Sequence, residues 1–166
     1  MSPAYLILAL VVCERLAELA IARHNTKNLL AEGAVEHGRG HYPLFVLLHA
    51  AWLGTILLAL APDQAVVWPL VGVYGLLVGA RIWVMASLGR RWTTRIVTLP
   101  GTALVRHGPY RLLRHPNYAI VVAEIAVLPL AFAAWRTALV FSLLNLLLVG
   151  YRIRIEDAAL AACREP

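Results

Sequence analysis

Cysteine is scarce in this 166-residue chain: Cys13 lies in an apolar run, Cys163 near the end, and neither sits among histidines. That excludes a disulfide framework and argues against a structural zinc site, so no metal is expected. No internal repeat or low-complexity segment interrupts the chain, and no glycine-rich dinucleotide fingerprint is present. The basic excess, 15 Lys and Arg against 9 Asp and Glu, is spread between apolar runs without the density of a nucleic-acid-binding arm. No nucleic-acid partner is expected from it. The first apolar run has no basic n-region before it and no small-residue cleavage signal after it, which predicts a retained helix and not a signal peptide. At 163–166, Arg164 and Glu165 stand where a prenylation box needs aliphatic residues, so no lipid anchor is expected there.

What the chain does have is apolar length. Hydrophobic residues make up 61% of it and its mean hydropathy is +0.72, too high for water to be its main solvent. A bilayer core about 30 Å thick takes roughly 20 helical residues at about 1.5 Å each. Segments 3–21, 43–61 and 66–88 fit directly. The stretch 118–151 is too long for one helix and is broken near 129–136, which predicts a hairpin of helices near 118–132 and 137–153, each short, at roughly 12 to 18 residues. The expected fold is therefore an all-α, polytopic membrane protein of about five transmembrane helices in a single domain, 1–166, with a long loop at 89–117.

Basic residues orient this arrangement, because loops rich in Lys and Arg stay on the cytoplasmic side. Arg23, Lys27 and Arg39 follow helix one; Arg90, Arg91, Arg95, Arg106, Arg111 and Arg114 follow helix three; Arg152, Arg154 and Arg164 end the chain. All fall on one side, and the opposite side carries only Arg136. An outside N-terminus and a cytoplasmic C-terminus follow. The loop 89–117 then faces the cytoplasm, punctuated into turns by Gly101, Gly108, Pro109 and Pro116.

Polar chemistry concentrates in two places. The run 108–118, Gly-Pro-Tyr-Arg-Leu-Leu-Arg-His-Pro-Asn-Tyr, precedes helix four. Asn117 can cap that helix, and the free N–H groups of its first turn can receive a carboxylate. His115 is a directional donor or acceptor in a backbone restricted by Pro116, and Tyr110 and Tyr118 offer faces for an adenine ring or a sulfonium cation. A basic interfacial loop with an aromatic belt explains the same residues without chemistry. The second place follows helix five, where Arg152 and Glu156 are four apart on one helical face beside Asp157. An i,i+4 salt bridge is the plain alternative.

The combination resembles a known family. Thr102, Ala103, Leu104 and Val105, then Gly108-Pro109-Tyr110 and Arg114-His115-Pro116-Asn117-Tyr118, then Arg152 and Glu156-Asp157 one hairpin later, resemble the isoprenylcysteine carboxyl methyltransferase family. A narrower resemblance, at Glu14-Arg15-Leu16-Ala17-Glu18-Leu19, Gly33-Ala34-Val35-Glu36 and Gly38-x-Gly40-His41-Tyr42-Pro43, is to a bacterial subgroup that O-methylates alkylpyrones and alkylresorcinols. The resemblance implies a cytoplasmic pocket for S-adenosylmethionine, lined by Thr102, Ala103, Leu104, Val105, Tyr110, His115, Pro116, Asn117, Tyr118 and Glu156. It implies Arg152 at the acceptor, and Arg152, Glu156 and His115 as the catalytic set, in a bacterial inner membrane. Two departures stand out: Asp157 where relatives carry a second glutamate, and Arg154 where the subgroup often has proline.

Glu14, Arg15, Glu18, Arg81 and Glu124 lie within apolar helices, where an unpaired charge costs at least a few kcal/mol. Arg15 and Glu18 are spaced to pair along one helix, leaving Glu14, Glu124 and Arg81 to find partners between helices. Glu14 and Glu18 are equally candidate contacts for a polar acceptor headgroup; His41 and His49 are weaker ones. The expected partners are a lipophilic small molecule and the bilayer, with the oligomeric state open. A carboxyl acceptor, a non-enzymatic scaffold or transporter subunit, and a lipid reductase using NADPH are the competing readings.

Overall fold

The computed structural model describes residues 2–162; Cys163, Arg164 and the tail considered for a prenylation box lie outside the described residues. Five α-helices carry the fold: α1 (Pro3–Ala31), α2 (Tyr42–Ala59), α3 (Trp68–Leu88), α4 (Pro116–Ala131) and α5 (Trp135–Ala162). Proline stands in the first turn of each of α1 to α4, where its missing N–H costs no helical bond. The helix α1 also takes a cap from Ser2, whose side chain accepts from the Ala4 N–H at 3.3 Å. The stretch 118–151 does break where expected, at residues 132–134, with Ala133 in the left-handed region at φ 56°.

Helix α3 packs on α4, α4 on α5, and α2 on α5. Their shared core runs through Leu8, Val11, Trp52, Ile56, Tyr74, Ile125, Leu128 and Phe141. Leucines on the outer faces are bare, Leu58 at 90%, Leu76 at 76% and Leu147 at 75%, which is the surface a protein offers to lipid. By length and composition, α2, α3 and α5 are each sufficient to cross a membrane. The chain is an integral membrane protein. The helix α4 is shorter, at 16 residues, and α1 carries Glu14, Arg15 and Glu18 at mid-length.

Two expectations need correction. The fold is not wholly helical: β1 (Val35–His37) pairs antiparallel with β2 (Ile96–Thr98), with Glu36 opposite Val97. These strands tie the connection after α1 to the connection after α3. The long loop is a folded segment, as its glycines and prolines led one to expect, with 3-10 turns at Gly89–Arg91 and Gly108–Arg111 flanking β2. Second, α1 continues to Ala31 and not to 21, and α5 to Ala162 and not to 153. Hydropathy marks where a helix leaves the apolar phase; intrahelical hydrogen bonding carries it beyond, until Gly33 at φ 90° lets the chain turn after α1.

Candidate functional site

The helical extensions build the site. Leu29, on the last turns of α1, and Glu156, Asp157, Leu160 and Ala161, on those of α5, wall a cavity of about 470 Å³. Its other walls are the segment after α3 and the start of α4. Every residue expected at the methyl donor lines it: Thr102, Ala103, Leu104, Val105, Tyr110, His115, Pro116, Asn117, Tyr118 and Glu156, together with Arg152.

Local chemistry fixes this wall. Gly101, at φ 74°, turns the chain, and the Thr102 hydroxyl donates to the Leu99 carbonyl at 2.7 Å. The Ala103 carbonyl accepts from Arg91 Nη1 at 2.7 Å. Gly108, at φ 60°, lies so close to Ser87 and Trp83 of α3 that a Cβ would strike the serine hydroxyl. The turn it opens presses Tyr110 against Ala22, Val84, Trp92 and Ile120. Burial, reinforced by the Glu156 carboxylate, pushes the Tyr110 phenol up to about 12, so it stays a neutral donor at physiological pH.

Beside Tyr110, five polar residues interlock: His115 at the N-cap of α4, Tyr118 in its first turn, and Arg152, Glu156 and Asp157 of α5. Arg152 is buried; its Nε donates to the Tyr118 hydroxyl at 2.8 Å and its Nη2 to the Thr94 carbonyl at 2.7 Å. The Tyr118 hydroxyl donates in turn to Glu156 Oε2. Arg152 and Glu156 therefore do not form the i,i+4 ion pair their spacing allows; tyrosine stands between them as a relay. The guanidinium also lies over the rings of Phe45, at 5.0 Å, and Tyr118, at 5.6 Å. His115 stacks on Tyr118 with centroids 5.5 Å apart and sets Nε2 3.3 Å from Asp157 Oδ1. Asp157 thus orients the imidazole. Asn117 does not cap α4: it lies in the first turn, and its Oδ1 accepts from Arg81 Nη1 at 3.4 Å.

A second cavity, about 260 Å³, lies deeper between the helices. It is mostly apolar, lined by Val12, Leu16 and Leu19 of α1, Phe45, Val46, Ala50 and Leu53 of α2, and Val121 and Val149. Trp92, Asn117, Tyr118 and Arg152 line both cavities. Glu18, Arg15, Arg81 and His49 border the deeper one, whereas Glu14 is not among its lining residues.

The charges within the apolar helices are paired as spacing predicted, and further. Arg15 Nη1 meets Glu18 at 2.8 Å and its Nη2 meets Glu124 at 3.0 Å. Arg81 holds Glu124 and reaches Glu18 at 3.2 Å. Glu14 joins at the periphery, 3.6 Å from Arg15. Three carboxylates thus surround two guanidinium groups, bonding α1 to α3 and α4.

Sequence reasoning missed Trp92, Thr94 and Phe45, and named Tyr42 only within a motif of resemblance. A lone tryptophan after a membrane helix reads as an interfacial anchor, and nothing in the sequence says that β2 folds its segment back over α5. Glu36 was quoted only for resemblance; its side chain is 2% exposed and held by Arg39 and Arg95 at 2.8 and 2.9 Å, pinning β1 beside the site.

Comparison with known proteins identifies a family and two relatives. A model of the isoprenylcysteine carboxyl methyltransferase (ICMT) family matches residues 70–162, which include every residue of the larger cavity except Leu29. The chain is 37% identical over 161 residues to the uncharacterized protein YpbQ of Bacillus subtilis, covering 94% of this chain and 95% of that one. It is 28% identical over 159 residues to an uncharacterized protein of Haemophilus influenzae, covering 92% of each. No solved structure matches it significantly.

Proposed function

The chain belongs to the isoprenylcysteine carboxyl methyltransferase family, whose members are membrane methyltransferases, and from that membership we propose that it methylates an oxygen of a lipophilic acceptor, with S-adenosylmethionine as donor. One observation carries the reading: the two separated sequence blocks, 102–118 and 152–157, enclose one cavity that shares four lining residues with an apolar cavity. The donor set suits the nucleotide. About 470 Å³ lies within the roughly 300–1,000 Å³ of small-molecule sites. Glu156 and Asp157 supply acceptors for sugar hydroxyls and counter-charge for an amine and a sulfonium; Tyr110 and His115 supply flat faces for a purine.

When bound, S-adenosylmethionine supplies an electrophilic methyl group on sulfur. This chain's task is then to align the acceptor oxygen behind that methyl and to exclude water. Arg152, shared by both cavities and fixed by Tyr118 and Thr94, is the group that holds an anionic acceptor oxygen. Glu156 contributes through Tyr118, which it keeps turned toward Arg152. For an acceptor that arrives as a neutral hydroxyl, His115, oriented by Asp157, takes the proton. The apolar cavity accepts the tail. Leu16 and Val46 line it and are also exposed on the lipid-facing surface, which favours lateral entry between α1 and α2. Glu18 and, more distantly, Glu14 stand on the acceptor side.

The favoured acceptor is the hydroxyl of an alkylpyrone or alkylresorcinol, resting on the N-terminal motifs at Glu14, Glu36 and His41; an isoprenylcysteine-like carboxylate is the second. In the bilayer we place five crossings, α4 and α5 as a hairpin, the N-terminus outside and the larger cavity in the cytoplasm, in a bacterial plasma membrane. Protein in nanodiscs, titrated with S-adenosylhomocysteine and with NADPH, tests the activity: saturable binding of the first alone is expected, and binding of neither, or of NADPH alone, overturns it. Labelled methyl donor with each lipid then separates a base-stable ether from a base-labile ester.

A further inference from the structure

The segment from Gly108 to Arg114, which walls the larger cavity through Tyr110 and Arg114, also has an outward face. Leu112 is 76% exposed and Leu113 53%, two neighbouring leucines without cover. Their backbone N–H groups both donate to the Pro109 carbonyl, at 3.0 and 3.1 Å, so the turn presents apolar side chains with its amides satisfied. Water makes no such demand. A lipid phase does, because it supplies no partner to a free amide.

The depth of the turn follows from α3. Gly108 is seated against Trp83 and Ser87, so the segment lies back along the last turns of that helix, which ends at Leu88. Trp83 lies five residues, about 7.5 Å, before that end and is 50% exposed, the position of an interfacial tryptophan. The turn that bears Leu112 and Leu113 is thus held on the flank of the bundle, at the boundary of the apolar layer. Charge completes the pattern. Between Asp63 and Glu124 the chain has no acidic residue. Arg39, Arg90 and Arg95 pair with Glu36 or Glu32, but Arg106, Arg111 and Arg114 are exposed and form no ion pair among the described residues. An acidic protein or a nucleic acid would answer the arginines alone. Bare leucines bracketed by unpaired guanidinium groups match anionic headgroups over acyl chains.

We propose that residues 106–114 dock on an anionic lipid leaflet, and that this docking governs the methyl-donor cavity, to which the same short segment gives Arg106, Tyr110 and Arg114. Lipid that holds the outer face fixes the inner face before the nucleotide arrives, which lowers the ordering cost of binding. The coupling rests on the methyltransferase reading; the docking does not. Interfacial anchoring and ligand binding are then two faces of one segment.

The test uses the whole chain in nanodiscs of phosphatidylcholine alone and of phosphatidylcholine mixed with phosphatidylglycerol. S-adenosylhomocysteine should bind about tenfold tighter in the mixed discs, within the range of coupling between two sites. The gain should vanish at about 1 M salt, where the Debye length is about 3 Å. Leu112→Asn combined with Leu113→Asn, neither of which lines the cavity, should bind in mixed discs only as well as wild type does in phosphatidylcholine. A spin label at Leu112→Cys, in a Cys13→Ser and Cys163→Ser background, should in mixed discs be relaxed by oxygen and shielded from a water-soluble nickel chelate. That readout needs no ligand. Equal affinity in the two discs, a lipid effect that persists in the leucine variant, or a label open to the chelate each overturns the proposal. So does soluble glycerol 1-phosphate reproducing the gain in phosphatidylcholine discs, which marks a phosphate site and not a leaflet. Absence of S-adenosylhomocysteine binding in both discs overturns the methyltransferase reading instead, and the label still decides the docking.

Discussion

Removing one oxygen atom, by Tyr118→Phe, separates the two roles assigned to the Arg152 neighbourhood. The ring stays, and with it the stacking on His115 and the face beneath the guanidinium. What goes is the acceptor for Arg152 Nε and the donor to Glu156. The two losses are unequal, because the Glu156 side chain is 28% exposed and can recruit water, whereas Arg152 is 7% exposed and cannot. The uncompensated part is one hydrogen bond to a buried cation, about 1.5–3 kcal/mol. Freed of the relay, Arg152 and Glu156 are also spaced to collapse onto each other, which draws the guanidinium away from the junction. Turnover should fall roughly 10- to 150-fold in kcat/KM, at about 1.4 kcal/mol per decade. Binding of S-adenosylhomocysteine, by calorimetry in nanodiscs, should weaken by less than about tenfold. Unchanged turnover, or an equal loss in both measurements, refutes the relay. So does strict additivity of Tyr118→Phe with Glu156→Gln, since a shared network should leave a coupling of about 0.5–3 kcal/mol.

Other consequences follow from the same geometry. The buried cluster holds three carboxylates and two arginines, so Glu14→Gln should be tolerated, whereas Arg81→Ala should destabilise by about 3–5 kcal/mol, read from denaturant unfolding in mixed micelles. Asn25→Ala leaves the Trp92 carbonyl without its buried donor and should cost about 1–3 kcal/mol in the same assay, with a broadened Trp92 indole resonance. Gly108→Ala combines a left-handed backbone, worth about 1–2 kcal/mol, with a clash against Ser87, and should weaken S-adenosylhomocysteine binding. Because the Tyr110 phenol is raised from the usual 10 to about 12, its contribution to stability is intact below pH 10 and declines between pH 10 and 12; absorbance titration of the phenols should find it among the last to ionise.

Much of the site was legible because its residues come in two compact blocks. The run 102–118 supplies one wall of the larger cavity and 152–157 another, and each block is local enough to read directly. The charge cluster was half legible: the Arg15–Glu18 pair follows from spacing within a helix, but its bridge through Glu124 and Arg81 depends on how α1, α3 and α4 meet. Trp92 and Thr94 were not legible. Their place at the junction is created by β1 and β2, two three-residue strands separated by almost sixty positions, which no periodicity can announce.

The sequence by itself determined the solvent, the helices and the family, because hydropathy, proline placement and motif spacing act over a few turns of chain. Only the tertiary structure decided that Tyr118 intervenes between Arg152 and Glu156, that Asn117 turns toward Arg81 and not toward its own helix end, and that the Trp92 carbonyl takes its donor from Asn25 of α1. Those are choices among hydrogen-bond partners of nearly equal local merit. Burial settles them, since a polar group removed from solvent must take whichever partner the packed helices bring within reach.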